Sequence, residues 1–533
     1  MDALLCLPIG NTRTPFVLRT GKQSKGRRSD PLGTWGTDRA RNVVGSTVMT
    51  TGRGTTSTGT GTTSTGTIGR RRATPATAMA AAVALVAAAA GCGSEPAAGP
   101  TPSEQTITTP SGTTAASPGP VGDADWPTYH HDNARTGVAP GFPTLGTASV
   151  AWTSRLDGAV YGQPIVVGGM VYAATENDTV YALDPATGKA KWSRHLATPV
   201  PQHDLPCGNI DPLGITSTMV YDPATGLVFA LAESTGGHHT LYGVDAATGT
   251  VRVVRAAEPP KGDPIAHQQR SALTLLDGKV YVAYGGLAGD CAHYIGSVVA
   301  VPTVGNGPVA SYAVPTTREA GIWAPGGAAV LDGHLLYAVG NGESTSGYDG
   351  SDSVLELDPQ LKLTDRFSPS TWADDNAHDL DLGSMSPAVV GTHVLIAGKR
   401  GTGYVLDGKH FGGIGGEVAK TEICKAFGGS AVNGDTVYVP CTDGTRAVRV
   451  DSAGKPQVLW HTTVPARGAP VLGGGAVWVV DYEDGLLYLL DPASGAVRQK
   501  LSIGTAPHFA SPTLAGEQAY VGTLTGVVAV RPS

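Results

Sequence analysis

Charge, aromatic residues, cysteine and long apolar runs are all scarce in this chain. Only 15% of its 533 residues are charged and 6% are aromatic. The longest apolar stretch, Ala78 to Ala90, falls short of the about 20 residues that a membrane-spanning helix needs. The six cysteines form no CxxC or CxxCH, which excludes c-type haem attachment and argues against zinc. Glycine runs such as Gly326-Gly327 are followed by no Lys-Ser/Thr and helix, so they read as turns rather than phosphate loops. His130-His131 and His238-His239 are adjacent pairs, which on strands would face opposite ways and not chelate together. No Ser/His/Asp arrangement stands out.

What the chain has in abundance is glycine, 74 residues of it. With so little charge, that suits many short strands joined by tight turns. The turns repeat. Asp184-Pro-Ala-Thr-Gly188 closes a strand and is followed four residues later by Trp192. Asp245-Ala-Ala-Thr-Gly249 and Asp491-Pro-Ala-Ser-Gly495 repeat it, with weaker copies at Asp358, Asp407 and Asp451. The Asp carboxylate accepts N–H groups within such a turn, and Gly takes the left-handed position.

The N-terminal quarter reads differently. Residues 1–69 include a Thr/Gly/Ser tract, Thr50 to Thr67, that cannot bury a core and is expected to be disordered. Arg70-Arg71-Arg72, the apolar stretch and Ala89-Ala90-Gly91-Cys92 form the n-region, h-region and small-residue site of an export signal over 70–92. Cysteine directly after Gly91 resembles a bacterial lipoprotein signal, with Cys92 the lipidated residue. Such a signal normally stands first, so translation is expected to begin later than Met1. Residues 93–125 are rich in Pro, Ser, Thr, Ala and Gly and read as a flexible tether. Residues 1–72 hold 12 Lys and Arg against 3 Asp and Glu, leaving 25 against 41 in the remainder. An acidic exported part excludes nucleic acid as a partner.

Outside the cytoplasm the four cysteines beyond the signal, Cys207, Cys291, Cys424 and Cys441, are expected to form disulfides. Three connectivities are open. Cys424 and Cys441 bracket a predicted hairpin with its turn at Asn433-Gly434-Asp435, which favours Cys424–Cys441 and leaves Cys207–Cys291.

Over 126–533 the pattern divides into eight units of four short strands, starting near Gln163, Ile215, Gln269, Ile322, Ser384, Ala426, Ala466 and Pro507. The last unit has three strands. The unpaired segment around Trp152 supplies a fourth, so the two ends of the domain share one sheet and close a ring. The fold class is all-β: an eight-bladed β-propeller closed by an N-terminal strand.

The Asp-x-x-Thr-Gly turn with its following Trp resembles the tryptophan-docking repeat of the pyrroloquinoline quinone (PQQ) propeller superfamily. The opening Asp125-Trp-Pro-Thr-Tyr-His-His-Asp-Asn-Ala-Arg-Thr-Gly137 also resembles the start of such proteins. The superfamily holds calcium- and quinone-dependent alcohol dehydrogenases and non-catalytic members, including an outer-membrane assembly lipoprotein. The fold alone does not choose between them.

For the enzymes, the resemblance implies PQQ and Ca²⁺ as cofactors. Glu233 and Asn341 (in Gly340-Asn-Gly342) match the calcium ligands, Thr216 a quinone contact and Trp323 the floor beneath the quinone ring. In Asp379-Leu-Asp381-Leu-Gly-Ser-Met-Ser-Pro387, Asp381 matches the catalytic base, with Asp379 the alternative. Lys399 matches the cation that bonds the quinone carbonyls, with Arg400 the alternative. The adjacent-cysteine pair of the enzymes is absent, as is their arginine-glycine segment, and an additional blade separates Glu233 from Asn341. The chain is therefore expected to be a lipid-anchored extracytoplasmic propeller. It would bind or scaffold an envelope protein, or a small-molecule ligand at its mouth. The alternative is a PQQ- and calcium-dependent dehydrogenase of an alcohol or sugar.

Overall fold

The computed structural model describes residues 121–533. The segment expected to be disordered, the expected export signal and Cys92 lie outside the described residues, as does most of the expected tether. Its last residue is anchored: the Asp125 carboxylate accepts the Gly168 N–H at 2.9 Å.

Eight antiparallel sheets of four principal strands form an eight-bladed propeller. Blade 1 runs through Ile165–Val167, Met170–Ala174, Thr179–Leu183 and Ala190–His195, from inner to outer strand. Blades 2 to 7 have inner strands at Val220–Asp222, Thr274–Leu276, Ala329–Leu331, Ala388–Val390, Ala431–Asn433 and Val471–Gly473. Blade 8 takes Thr513–Ala515, Gln518–Thr523 and Gly526–Pro532 from the C-terminus and Ala148–Arg155 from the N-terminus. Trp152 stands opposite Ala529 in that closing pair. Apolar clusters fill the spaces between successive sheets; one spans Ile165, Tyr172, Ile215, Val228 and Ala230 of blades 1 and 2.

The repeated turn docks onto the preceding blade. The Asp184 carboxylate accepts the Ala186 and Thr187 N–H groups, and Gly188 sits at φ +70°. Trp152 donates its indole N–H to Pro185 O at 2.8 Å. Trp192 does the same to Ala246 O (3.1 Å), and Trp460 to Pro492 O (2.9 Å). A Cβ on Gly188, Gly249 or Gly495 would fall 2.5–2.8 Å from the docked indole. Glycine is thus required twice, by its backbone angle and by the ring lying flat on it.

One element has no counterpart in the repeat. Residues 126–137 curl across the channel, through positive φ at His130, His131, Arg135 and Gly137. The inner strands present unpaired edges to the channel, and this segment bonds to them in turn. Trp126 pairs with Val166 of blade 1, and Pro127 O accepts Tyr221 N–H of blade 2. Asn133 bonds Leu275 O and Val330 N–H of blades 3 and 4. Thr136 O and Gly137 O accept Val432 and Leu472 N–H of blades 6 and 7. His130-His131 therefore lies in a curled loop rather than on a strand, and His130 is buried, its ring bonded to Ser430 O and Ser511 Oγ. A second addition is the short helix Trp372–Ala377 between blades 4 and 5.

Candidate functional site

Each inner strand starts at one rim of the ring and ends at a tight turn on the other. The plug pairs next to the turns. The residues expected to form a site precede the inner strands or follow the second strands, so they gather at the opposite rim, which we call the mouth.

Trp323, Asn341, Asp381 and Lys399, with the alternative base Asp379, form one group on blades 4 and 5. Asp381 is buried; its Oδ1 accepts the Asn341 N–H at 2.6 Å and its Oδ2 lies 2.6 Å from Lys399 Nζ. Lys399 also meets Asp379 Oδ1 at 2.7 Å. Burial opposes the ammonium charge, but the two carboxylates outweigh it and push the Lys399 pKa up. Burial, then repulsion from Asp381, raises the Asp379 carboxyl against the pull of Lys399. Asp379 is half-exposed at 51%. Trp323 stands alongside: a Cβ on Gly340 would lie 2.4 Å from Asp381 Oδ1 and 3.3 Å from Trp323 Nε1. Gly340 is the close approach that lets the three meet. Arg400 turns away to Asp374 and Asp375 on the short helix.

Thr216 and Glu233 belong to a second group on blades 1 to 3. The Thr216 hydroxyl donates to Glu176 Oε2 at 3.1 Å, and Gly214 N–H donates to the same oxygen. Glu233 Oε1 accepts the Gln269 N–H at 2.5 Å, and its Oε2 lies 3.7 Å from His239 Nε2. His239 is fully buried between Glu233 and Glu258; burial disfavours its charge, yet the two carboxylates lift its pKa to about 9. Burial pushes the Glu176 carboxyl up to about 8 and the Asp178 carboxyl up to about 9, with repulsion from Glu233 adding to both.

Among the described residues, no hydrogen bond or ion pair joins Thr216 or Glu233 to Trp323, Asn341, Asp381 or Lys399. Blade 3 stands between the two groups. Nor do three or more His, Cys, Asp or Glu side chains among the described residues gather closely enough to hold a metal. Glu233 and Asn341, the expected calcium pair, share no direct contact among the described residues, and Glu233 is engaged by an N–H donor and a histidine.

Aromatic residues line the mouth. Phe427 and Phe509 stack at 5.8 Å with planes 4° apart, and Trp323 leans on both at 6.3 and 6.1 Å. Neither phenylalanine was singled out by the repeat, because each lies in an irregular segment before an inner strand. Arg270 and Tyr129 were missed for the same reason; the only signal for Tyr129 was an aromatic- and His-rich run with no strand to occupy.

Both disulfides are formed. Cys207–Cys291, with Cα atoms 6.1 Å apart, ties the loop between blades 1 and 2 to a loop within blade 3, over Val200, Ile210, Leu213 and Leu287. Cys424–Cys441, at 5.8 Å, spans the expected hairpin of blade 6.

A family profile described as outer membrane protein assembly factor BamB matches residues 132–340 and 415–533, more than half of the chain. A comparison with curated proteins finds no match. Among solved structures, quinohemoprotein alcohol dehydrogenase from Comamonas testosteroni is 18% identical, with a TM-score of 0.57 over 76% of this chain and 80% of that one. A europium-containing methanol dehydrogenase is 15% identical, with a TM-score of 0.60 over 77% of this chain and 98% of that one. BamB from Moraxella catarrhalis is 16% identical, with a TM-score of 0.53 over 73% of this chain and 99% of that one. At these identities the likeness establishes the fold. By the match over its repeats, the chain belongs to the PQQ-like propeller family described as outer membrane protein assembly factor BamB.

Proposed function

We propose that this protein is a binding or scaffolding propeller of the cell envelope, held to the membrane through lipid on Cys92. The carrying observation is that residues of the expected quinone set are already engaged by protein partners. Glu233 is committed to His239 and the Gln269 N–H, while Asp381 and Lys399 are paired with each other. A carboxylate with one oxygen on an N–H and the other on an ammonium is poorly placed to take a proton from an alcohol. The two disulfides suit an extracytoplasmic location. The family's description as an assembly factor points the same way. The partner would be an envelope protein meeting the rigid ring.

A second reading, a PQQ- and Ca²⁺-dependent dehydrogenase, draws on one observation: Trp323, Asn341, Asp381 and Lys399 do gather at one mouth. The donor set fits calcium poorly, since the second expected ligand, Glu233, is taken up by His239 and the Gln269 N–H. Two measurements separate the readings. Affinity capture of the lipidated full-length protein from envelopes is expected to recover one stoichiometric partner. Loading with PQQ and Ca²⁺ is expected to give neither quinone absorbance on the protein nor dye reduction across an alcohol and sugar panel. Robust turnover by a clean monomer would overturn the scaffolding reading.

A further inference from the structure

The outer strand of each blade is a sheet edge with one row of backbone N–H and C=O groups facing outward. Proteins guard such edges with charge, brevity or cover. Seven of the eight edges are guarded in these ways. The outer strands of blades 1, 2 and 7 are Ala190–His195, Val251–Ala256 and Val497–Ser502. They carry Lys191 and Arg194, Arg252 and Arg255, and Arg498 and Lys500. Those of blades 3 and 5, Ala310–Ala313 and Ala419–Glu422, have four residues each. Blade 4 carries Asp365 and Arg366 on Leu363–Ser368, and Gly413–Ile414 pairs in parallel with its end. On blade 8 the Gln499 side chain bonds both the N–H and the C=O of Ala148 at one end, and Arg155 stands at the other.

The outer strand of blade 6, Pro456–His461, differs. Its six residues, Pro-Gln-Val-Leu-Trp-His, include no Lys, Arg, Asp or Glu. Pro456 is buried at the first position and leaves the rest of the edge open. A bulge shared with other blades shows the contrast. In blades 1, 2 and 7 the bulged residue is Lys191, Arg252 or Arg498, whose cation returns to the Asp of its own turn. Lys191 Nζ lies 2.9 Å from Asp184 Oδ2, and Arg252 Nη2 lies 3.7 Å from Asp245 Oδ2. In blade 6 the bulged residue is Leu459. The Asp451 carboxylate of its turn accepts the Ala453 and Lys455 N–H groups instead. Leu459 is 45% exposed and Val458 36%. Exposed aliphatic residues continue on both sides: Ile414 and Val418 on blade 5 and Val497 on blade 7. Val418 lies against the blade 6 turn, its Cγ1 3.0 Å from where a Gly454 Cβ would stand.

We propose that this flank is the interface between two copies of the chain, which set their blade 6 outer strands edge to edge about a twofold axis. Charge selects the occupant. About a twofold axis a patch faces itself. The edges of blades 1, 2 and 7 would then bring cations against cations, which is destabilising. The blade 6 edge apposes only peptide groups, uncharged polar side chains and the Val458–Leu459 pair, which stands at its middle. Six residues span about 20 Å. One such strand pair with a few aliphatic neighbours falls below the about 1,600 Å² of a standard interface, so the dimer is a weak one. It forms whether or not the chain carries lipid or an envelope protein docks elsewhere on the ring.

The test is analytical ultracentrifugation of the full-length protein over about 1–500 µM, the range in which a weak dimer fills. Wild type is expected to move from one chain per particle toward two. L459K and V458K are each expected to weaken the dimer by roughly tenfold or more, through like charges set across the axis. V254K alters an equally exposed valine on the cation-bearing edge of blade 2 and is expected to leave the dimer unchanged. Hydrogen exchange on the same samples is expected to slow over 457–461 as concentration rises in wild type, and not in L459K. A wild type that stays monomeric throughout overturns the proposal, as does a dimer that survives both lysine variants or one that slows exchange only on other blades. If L459K does not fold, V458K and the wild-type exchange pattern decide.

Discussion

The two ends of the channel are built from the same strands yet solve opposite problems. At the plugged end, chain 126–137 turns free strand edges into hydrogen bonds and saturates Arg135. At the mouth, Arg270 makes one hydrogen bond among the described residues, to His508 O, and Phe427, Phe509 and Trp323 are half-exposed. One end commits its polar groups to internal hydrogen bonds; the other leaves part of its lining open. The profile match sharpens the contrast, since the unmatched stretch 341–414 contains Asn341, Asp379, Asp381 and Lys399.

The contrast breaks first at the arginines. Arg135→Leu strands carbonyl and hydroxyl acceptors in the interior, and the expected loss is about 3–5 kcal/mol in urea unfolding. Arg270→Gln is expected to cost less than about 1 kcal/mol. Equal losses would mean that Arg270 is structural, like Arg135.

Removing the Cys207–Cys291 bridge, as the double Ser variant, is next. In the chain-entropy view a loop of 84 residues contributes about 4.5 kcal/mol, and measured losses centre on about 2–4. The expected signature is local. Hydrogen exchange should quicken over the loop 198–213, while the Val330 and Val432 amides held by the plug stay protected. Uniform acceleration would show that the two ends are one cooperative unit.

Gly249→Ala tests the ring wall that both ends share. Its φ of +70° and the Trp192 ring 2.8 Å from a new Cβ predict a loss of about 2 kcal/mol. Trp192→Phe, which removes the indole N–H bond to Ala246 O and part of the ring lying on Gly249, is expected to cost about 1 kcal/mol from the bond alone. A neutral Gly249→Ala would break the docking account.

A pH dependence is expected from groups at the mouth. Glu176 and Asp178 have folded pKa values, about 8 and about 9, above their unfolded values near about 4. The native state then binds more protons than the unfolded one, so stability falls as pH rises through that window. His239, raised to about 9, acts in the same direction: its contribution is complete below about 6.5 and is lost as pH rises through 9. The midpoint temperature is expected to decline from pH 6 to 9.5, and more shallowly in Glu176→Gln. An unchanged slope in that variant would remove Glu176 from the account.

Legibility followed regularity. The blades, their order, the closing strand at Trp152 and the hairpin between Cys424 and Cys441 were readable, because a period-two apolar pattern and an Asp-x-x-Thr-Gly turn recur. The docking of Trp192 on the next blade was readable only as a large side chain on an outer strand; its acceptor, Ala246 O, lies 54 residues on. His130-His131 was misread, since the pattern did not reveal that this run curls through positive φ. The candidate site was legible residue by residue but not as a constellation. Spacing along the chain placed Glu233 and Asn341 on two blades with one blade between them, but said nothing of His239 and the Gln269 N–H, which engage Glu233. Tyr129, Arg270, Phe427 and Phe509 lie in segments with no period at all.

The amino-acid sequence by itself therefore determined the architecture: eight sheets, the ring closure and the turns that lock blade to blade. Local hydrogen bonding and side-chain alternation repeat at each blade, and repetition carries that information redundantly. Tertiary structure alone decided what faces the channel. It placed 126–137 against six inner strands, set Lys399 rather than Arg400 beside Asp381, and left Arg270 unpaired. Those outcomes depend on which irregular residues meet across the ring, and closure of the whole circle fixes such meetings where no local interaction does.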